Sequence, residues 1–148
     1  MIRPGRPSDS AGIRVLWDAY RAELEAAGKE YASGRADTAP WTSWLQRRIA
    51  AGDVRVGVED GVVSAYIAWE VRSRPDGHRA LIVTDLYVTP GERGHRLGGG
   101  LLARALDRAR ADGMAHVEVD VGLGDGAAQA LVASYGFVAQ AGAIVREI

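Results

Sequence analysis

The chain has 148 residues, with 18 lysines and arginines against 19 aspartates and glutamates, and it contains no cysteine. Its length fits one domain with a substantial core, and its formal net charge of −1 argues against a general nucleic-acid binder, which would carry a basic excess. The lack of cysteine excludes disulfides, thiolate metal sites and a cysteine nucleophile. The N-terminus lacks the apolar core of a signal peptide, and no apolar run could span a membrane, so we expect a cytoplasmic protein without membrane contact.

Two helices are predicted in the first third of the chain. The first follows the capping residues Ser8, Asp9 and Ser10 and stops at Gly28. Its apolar positions recur at helical spacing, and they are Ile13, Leu16, Trp17, Tyr20 and Leu24. The second helix starts at Pro40 and ends before Gly52, with one apolar side formed by Trp41, Trp44, Leu45 and Ile49.

Three strands are predicted next. The segment "DVRVGVEDGVVSAYIAWEVR" contains two strand-like runs around Asp60-Gly61, which is the strongest short signal for a hairpin. After a turn at "RPDGH", the segment "RALIVTDLYV" is apolar on both faces. A strand of that kind is predicted to lie in the centre of a sheet.

The remaining segments alternate between helix and strand. A helical stripe closed by Gly113 is followed by "AHVEVDV", which alternates as a strand. The segment "DGAAQALVASYG" is predicted to be a helix with Asp125 as its N-cap, and "FVAQAGAIVREI" to be a terminal strand pair. The whole pattern predicts one α/β domain over residues 1–148. The apolar residues of the helical stripe that ends before Gly113 are Leu97, Leu101, Leu102, Ala105, Leu106 and Ala109.

The segment "TPGERGHRLGGGLL" places three glycines, Gly98 to Gly100, at the start of a helix, although each costs about 1 kcal/mol relative to Ala. One interpretation is an anion site. Free N–H groups and the helix dipole attract a phosphate, glycines let it approach, and Arg93 and Arg96 add charge-assisted hydrogen bonds. The other interpretation is that small residues allow close packing of the helix. The local sequence favours the anion site only slightly over the packing interpretation.

Other phosphate and metal motifs fit the sequence poorly. A nucleotide-hydrolase loop requires Gly-Lys-Ser/Thr, which is absent. The segment "GLGDGA" matches the looser dinucleotide pattern, but it leaves too little chain downstream for a dinucleotide fold. A calcium loop at "DVGLGDG" lacks the alternating oxygen ligands and the terminal Glu, so no metal site is predicted.

Over nearly its whole length the chain resembles the GCN5-related N-acetyltransferase (GNAT) family. The segment "IRPGRPSDSAGI" is similar to the family's opening strand and first helix. The segment "DLYVTPGERGHRLGGGLLARAL" is similar to its acyl-CoA segment, a strand followed by Arg/Gln-x-x-Gly-x-Gly/Ala. The segment "DGAAQALVASYGF" is similar to its last helix, usually Asn-x-x-Ala-x-x-Leu-Tyr ending in Gly-Phe. The resemblance implies an α/β fold with a mixed, mostly antiparallel sheet flanked by helices, in the order β-α-α-β-β-β-α-β-α-β(-β).

The resemblance also implies a donor site for acetyl-CoA. Backbone N–H groups of the loop cradle the pyrophosphate, the end of the central strand pairs with the pantetheine arm, and the neighbouring strand at Ala115 to Val121 splays away. An amine then attacks the thioester directly, without a covalent enzyme intermediate. The implied donor-binding residues are Leu86, Tyr87, Val88, Arg93, Gly94, His95, Arg96, Leu97, Gly98, Gly99 and Asp125.

The sequence departs from the family pattern at two positions. Arg96 stands where the first motif glycine is usual, and we expect it to keep ordinary helical dihedrals while its side chain either grips a phosphate or is solvated. Val132 occupies the position of the usual tyrosine, often the acid that protonates the leaving thiolate. Tyr135 lies one helical turn further on and is either a replacement acid or a core residue.

The remaining candidate residues concern the acceptor. Asp85 is the first candidate for the general base, because it is a carboxylate in a strand that is otherwise predicted to be buried. Glu118 and Asp120, which share one face of the neighbouring strand, are the next candidates. Each could instead be a strand-end charge facing solvent or an arginine. The resemblance implies that the first two helices line the acceptor pocket, and Tyr31, Trp41 and Trp44 fall there. Aromatic walls suit an acceptor with an apolar or cationic part, although a Trp pair at helical spacing also fits a plain core.

The sequence therefore predicts an acetyl-CoA-dependent N-acetyltransferase that acts on an amino group of a small molecule or a protein. The alternative is a non-catalytic acyl-CoA-binding or sensing module with the same fold. The terminal strands could pair between subunits, which favours a homodimer.

Overall fold

The computed structural model describes residues 1–28, 38–94, 96–119, 126–140 and 143–148. Short 3-10 turns at Pro7–Asp9 and Pro90–Glu92 precede two of its helices. The helices and strands, in chain order, are β1 (Ile2–Pro4), α1 (Ser10–Ala26), α2 (Thr38–Ala50), β2 (Val54–Glu59), β3 (Val62–Ser73), β4 (Arg79–Val88), α3 (Leu97–Ala111), β5 (His116–Val119), α4 (Gly126–Ser134), β6 (Val138–Gln140) and β7 (Ala143–Glu147).

Seven strands form one sheet in the order β1-β2-β3-β4-β5-β7-β6. All neighbours pair antiparallel except β4 and β5, which are parallel. The predicted mixed, mostly antiparallel sheet is confirmed, as are the central place of β4 and the terminal strand pair. β4 is buried on both faces over most of its length, as its apolar run predicts.

Helices cover both faces of the sheet. One core cluster joins α3 to one face, and the predicted stripe of α3 is buried in it. A second cluster joins α1 and α2 to the other face, and the five apolar positions predicted for α1 are all buried there. None of the helices in the described ranges is both long and apolar enough to cross a membrane.

The hairpin between β2 and β3 turns at Asp60-Gly61, as predicted. Both residues have positive φ, 51° and 76°, which is the conformation that a two-residue type I′ turn requires. The start of α2 differs from the prediction, since the helix begins at Thr38 and not at Pro40. Pro40 is compatible with this start because the N–H groups of the first helical turn have no partner within the helix.

An ion pair fixes β1 to the start of α1. The Arg3 guanidinium donates to both carboxylate oxygens of Asp9 at 2.8 and 3.0 Å, and the Arg6 backbone N–H donates to Asp9 Oδ2 at 2.7 Å. The hydrogen bonds from Arg3, followed by that from the Arg6 backbone, hold the pKa of Asp9 below its ordinary value, although burial acts in the opposite direction.

The substitution Asp9→Asn should lower the free energy of unfolding by about 1–2 kcal/mol at neutral pH, because charge-assisted hydrogen bonds are lost. The folded-state pKa of Asp9 lies below its ordinary value of 3.8, so the wild-type advantage is fully present above that value and is lost as the pH falls through the folded pKa. Urea unfolding of both proteins from neutral to acid pH measures this difference. Asp18→Asn, in an exposed pair with Arg14, is the control and should cost much less. Equal losses in the two variants would contradict the role of Asp9.

Candidate active site

Among the described residues, β4 is paired on one side along its whole length and on the other side only along its first half. Its pairing with β3 runs from Arg79 to Val88. Its pairing with β5 runs only from Ala80 to Val83, where β5 contributes His116 to Val119. Within the described part of the chain, Thr84 to Val88 therefore have no strand partner on the β5 side. An extended ligand could use these backbone groups as a further strand would.

A β-bulge lies where the one-sided stretch begins. Ala68 is opposite Asp85 and Trp69 is opposite Val83, so Thr84 is an extra residue in β4. The Thr84 hydroxyl donates to the Ala68 carbonyl oxygen at 3.4 Å. Because side chains alternate between faces along a strand, one extra residue reverses the faces of all that follow. The bulge thus turns Asp85 toward the face covered by α1 and α2, away from the face that contains Val83.

Asp85 is fully buried on that face, and its neighbour there is Tyr66 of β3. The Tyr66 hydroxyl donates to Asp85 Oδ2 at 2.7 Å, and both residues are 0% exposed. A buried carboxylate with a fixed hydrogen-bond donor has the chemistry of a general base. The sequence predicted Asp85 but not Tyr66, because nothing in "SAYIAW" reveals a bulge in the partner strand.

The N-terminus of α3 lies after the end of β4. Arg96 is the N-cap residue, its side chain makes no capping hydrogen bond, and the first turn of the helix contains no acid. The N–H of Gly100 bonds to the Arg96 carbonyl at 3.0 Å, whereas the first N–H groups of any helix have no partner within it. Together with the dipole, these groups would suit an anion.

The three glycines of α3 each make room for a different neighbour. A Cβ on Gly98 would lie 2.9 Å from a methyl of Leu131 in α4, and one on Gly100 would lie 2.5 Å from a methyl of Ile2 in β1. A Cβ on Gly99 would meet the hydroxyl of Tyr135. Packing therefore accounts for the missing side chains. Anion binding by the backbone of the same turn is compatible with it and stays a prediction.

Arg96 does not have the ordinary helical dihedrals that we expected. Its φ of 66° and ψ of 11° are left-handed, a conformation that glycine adopts without strain and that a residue with a Cβ adopts at a cost of about 1–2 kcal/mol. The expectation was wrong because the chain enters α3 through a turn that needs a glycine conformation. The Arg96 side chain is exposed, and no hydrogen bond or ion pair joins it to the described residues.

Arg93 links the loop to α1 and to β4. Its Nε donates to the Val88 carbonyl at 2.9 Å, and its Nη2 donates to the two carboxylate oxygens of Glu23 at 3.0 and 3.1 Å. Its guanidinium also lies 5.4 Å from the centre of the Tyr87 ring. Burial, followed by the hydrogen bond to Glu23, raises the pKa of Tyr87 to about 12. The Arg93–Glu23 pair is exposed, so its net stabilisation is small and a phosphate could compete with it.

Two other predicted catalytic residues lie in different places. Tyr135 is half-buried with its hydroxyl against Gly99, at the first turn of α3. Glu118 lies opposite Ile82, within the paired half of β4, and its carboxylate contacts Arg74 and the His116 ring. The structure thus brings Tyr135 to the start of α3 and holds Glu118 against Arg74 and the His116 ring. Val132, at the usual tyrosine position, is buried in the core beneath α4.

The predicted aromatic pocket residues Trp41 and Trp44 are 1% and 5% exposed in the core between α1, α2 and the sheet. Trp41 stacks on Trp17 with ring centres 4.7 Å apart. This burial is what the core interpretation expects, and their contact with an acceptor stays a prediction. The predicted site residues that lie outside the described part of the chain are Tyr31, His95 and Asp125.

Known proteins with similar sequences are acetyltransferases and acyltransferases. A model of the acetyltransferase (GNAT) family matches residues 14–137. The chain is 34% identical over 110 residues to the L-amino acid N-acyltransferase MnaT of Escherichia coli, and the alignment covers 74% of this chain and 62% of that protein. It is 30% identical over 115 residues to an L-methionine sulfoximine/L-methionine sulfone acetyltransferase of Salmonella typhimurium, which covers 77% of this chain and 67% of that protein. The chain thus spans less than two thirds of the length of MnaT.

Solved structures share the fold. The structure of yncA from Salmonella typhimurium, which contains its cofactor acetyl-CoA, matches with a TM-score of 0.76 and 24% identity. The match covers 99% of this chain and 92% of that one. The same layered arrangement therefore extends over almost the whole chain.

The left-handed backbone of Arg96 leads to a stability prediction. Arg96→Gly should raise the free energy of unfolding by about 0.5–1 kcal/mol, because glycine adopts a positive φ without strain. The relief of that strain should exceed the cost of the larger conformational entropy of glycine in the unfolded chain. Thermal or urea unfolding measures the change. Arg104→Gly, in the exposed interior of the same helix, is the matched control and should lower stability by about 1 kcal/mol. A similar loss in both variants would show that Arg96 is not strained.

Proposed function

Because this chain belongs to the acetyltransferase (GNAT) family, we propose that it is an acetyl-CoA-dependent N-acetyltransferase that transfers acetyl directly to an amino group of a small molecule or a protein. The observation that carries this proposal is the one-sided half of β4 next to the uncapped start of α3. These two features supply, side by side, a backbone edge for an amide-containing arm and N–H groups for a phosphate.

The residues present fit the donor. The main chain of Leu86, Tyr87 and Val88 would pair with the pantetheine arm, and the backbone from Arg93 through Gly94, His95, Arg96, Leu97 and Gly98 to Gly99 would hold the pyrophosphate. Asp125 would cap α4. Gly94 has a φ of 88°, and a Cβ at this position would meet no atom of the described residues within 4 Å. Acetyl-CoA, when bound, supplies an acetyl group activated as a thioester.

The chain's own residues would position the acceptor and move protons. Asp85 would take a proton from the ammonium form of the acceptor, directly or through a water, so that the amine can attack the thioester. Tyr135, whose hydroxyl lies at the first turn of α3, would protonate the leaving thiolate. Glu118 is the second candidate for the base. Positioning and electrostatics supply the rest of the catalysis, as direct transfer needs no covalent intermediate.

The first acceptor class to test is the α-amino group of amino acids, because the two relatives named above act on amino acids or on amino-acid analogues. Tyr31, Trp41 and Trp44 would line the acceptor pocket and suit an apolar or cationic side chain. We place the protein in the cytoplasm. A homodimer joined through the terminal strands is supported by the edge position of β6 and by the exposure of its Val138.

A non-catalytic acyl-CoA-binding or sensing module is the second candidate. The observation that favours it is Val132, which is buried in the core and carries no hydroxyl at the position where the family usually has its tyrosine. The two functions share the donor site and differ only in turnover.

Acetyl-CoA or CoA should raise the melting temperature of the protein by several degrees, because a ligand that binds only the folded state stabilises it. NAD and ATP at the same concentration are the controls and should cause no shift. Thiol release from acetyl-CoA is then measured with amino acids, polyamines, aminoglycosides and peptides. The absence of a shift with millimolar CoA would contradict the donor site, and binding without turnover on the whole panel would favour the sensing module.

The substitution Asp85→Asn should lower kcat/KM for the acceptor on the order of 10²- to 10⁴-fold and abolish the acidic limb of its pH profile, because the base is lost. The thermal shift with CoA should persist. Glu118→Gln is measured beside it, because Glu118 is the second candidate for the base, although it pairs with Arg74 and lies opposite Ile82. Loss of the acidic limb in Glu118→Gln alone would assign the base to Glu118. If Asp85→Asn leaves both the rate and its pH dependence unchanged, Asp85 is not the base.

A further inference from the structure

We propose that Tyr66 is a positioning residue for the general base. The hydrogen bond from its hydroxyl orients the Asp85 carboxylate and favours the ionised form of that group. The proposal deepens the proposed function and rests on it, because it assumes that Asp85 accepts the acceptor's proton. It is carried by the backbone geometry of β3 and β4 together with the 2.7 Å hydrogen bond between the two side chains.

The β4 bulge brings the two residues to the same face. In a regular strand, Asp85 would share the face of Leu81 and Val83, which belong to the core beneath α3. The extra residue Thr84 reverses that alternation, and Asp85 then shares the face of Tyr66. The Thr84 hydroxyl ties the bulge to the backbone of β3. The bulge thus moves the Asp85 carboxylate from the face covered by α3 to the face covered by α1 and α2.

The residue opposite Asp85 leaves space for the tyrosine. Ala68 is the direct partner of Asp85, and Tyr87 is the direct partner of Tyr66, so Tyr66 and Asp85 are diagonal neighbours. Diagonal neighbours in an antiparallel pair are within reach of aromatic side chains. Ala68 is 0% exposed and has only a methyl group, which allows the Tyr66 ring to lie across it and reach the carboxylate.

Other titratable and charged groups of the described residues face the same cluster. They are Tyr87 of β4, Tyr20, Glu23, Arg14 and Arg21 of α1, Glu118 of β5 and, above Tyr87, Arg93 of the loop. The pKa of Tyr87 is raised to about 12, so this phenol stays neutral over the range in which a carboxylate titrates. The buried hydrophobic residues that α2 contributes are Trp41, Trp44, Leu45 and Ile49.

Loss of the hydroxyl has a specific consequence. In Tyr66→Phe the ring remains, but the carboxylate loses a donor in a fully buried environment, where hydrogen bonding to the charged form favours that form. The acidic limb of the pH profile of kcat/KM should therefore move to higher pH by about one unit. At the optimum, kcat should fall roughly 10- to 100-fold because the base is misaligned. The KM for acetyl-CoA should stay within about twofold, since Tyr66 lies on the face opposite α3.

The experiment compares wild type, Tyr66→Phe, Asp85→Asn and the double variant with an acceptor that wild type acetylates. Ile13→Val is the control, because it destabilises the same core cluster without removing a hydroxyl, and its pH profile should not move. The free energy of unfolding of the four proteins is measured in parallel. The two substitutions should be non-additive in stability and in kcat/KM, because each removes the same hydrogen bond.

The outcomes are distinct. A Tyr66→Phe variant that is non-additive with Asp85→Asn in stability but keeps the wild-type pH profile has lost only a structural hydrogen bond, and the proposal is overturned. Additive effects in both measurements overturn it as well. A wild-type chain that binds CoA but releases no thiol with any acceptor overturns the proposed function itself, which is a separate failure.

Discussion

The pairing of β4 is the constraint on which the rest of this structure depends. On the β3 side its ladder runs from Arg79 to Val88, whereas on the β5 side the described pairing ends at Val83. A strand paired on one side in the middle of a sheet leaves backbone donors and acceptors that need other partners. The same half of β4 leads directly to the loop before α3. Within the described residues an unpaired strand edge and a helix N-terminus therefore adjoin, and the proposed donor site rests on that juxtaposition.

The bulge at Thr84 and the glycines of α3 serve this arrangement in complementary ways. The bulge changes which face Asp85 occupies without breaking the ladder with β3. The glycines let α3 approach Ile2, Leu131 and Tyr135 closely, so that the start of the helix is fixed by packing from β1 and from the α4 region. Because packing already holds the start of the helix in place, less conformational entropy is lost there when an anion binds. Packing and ligand binding thus favour the same small residues, which is why the sequence alone does not separate the two.

Much of the fold could be predicted because its signals are local. Asp60-Gly61 specifies its hairpin through a backbone conformation that few other residues adopt, and the apolar run from Ala80 to Val83 requires burial on both faces. The site is harder to predict because its geometry comes from register. Asp85 was recognisable as a carboxylate in a buried strand, but its hydrogen bond with Tyr66 depends on a one-residue shift between strands that no local pattern encodes. The left-handed backbone of Arg96 likewise depends on how the loop meets α3.

The central claim is that the second half of β4 and the first turn of α3 together hold the acyl donor. The most direct measurement is residue-resolved amide hydrogen exchange with and without saturating CoA. The account predicts that CoA slows exchange at those amides of Thr84 to Val88 that are not bonded to β3, and at Leu97, Gly98 and Gly99, while the β2–β3 hairpin at Asp60-Gly61 keeps its rate. Unchanged exchange in both segments with CoA bound, or protection confined to another part of the chain, would contradict the account.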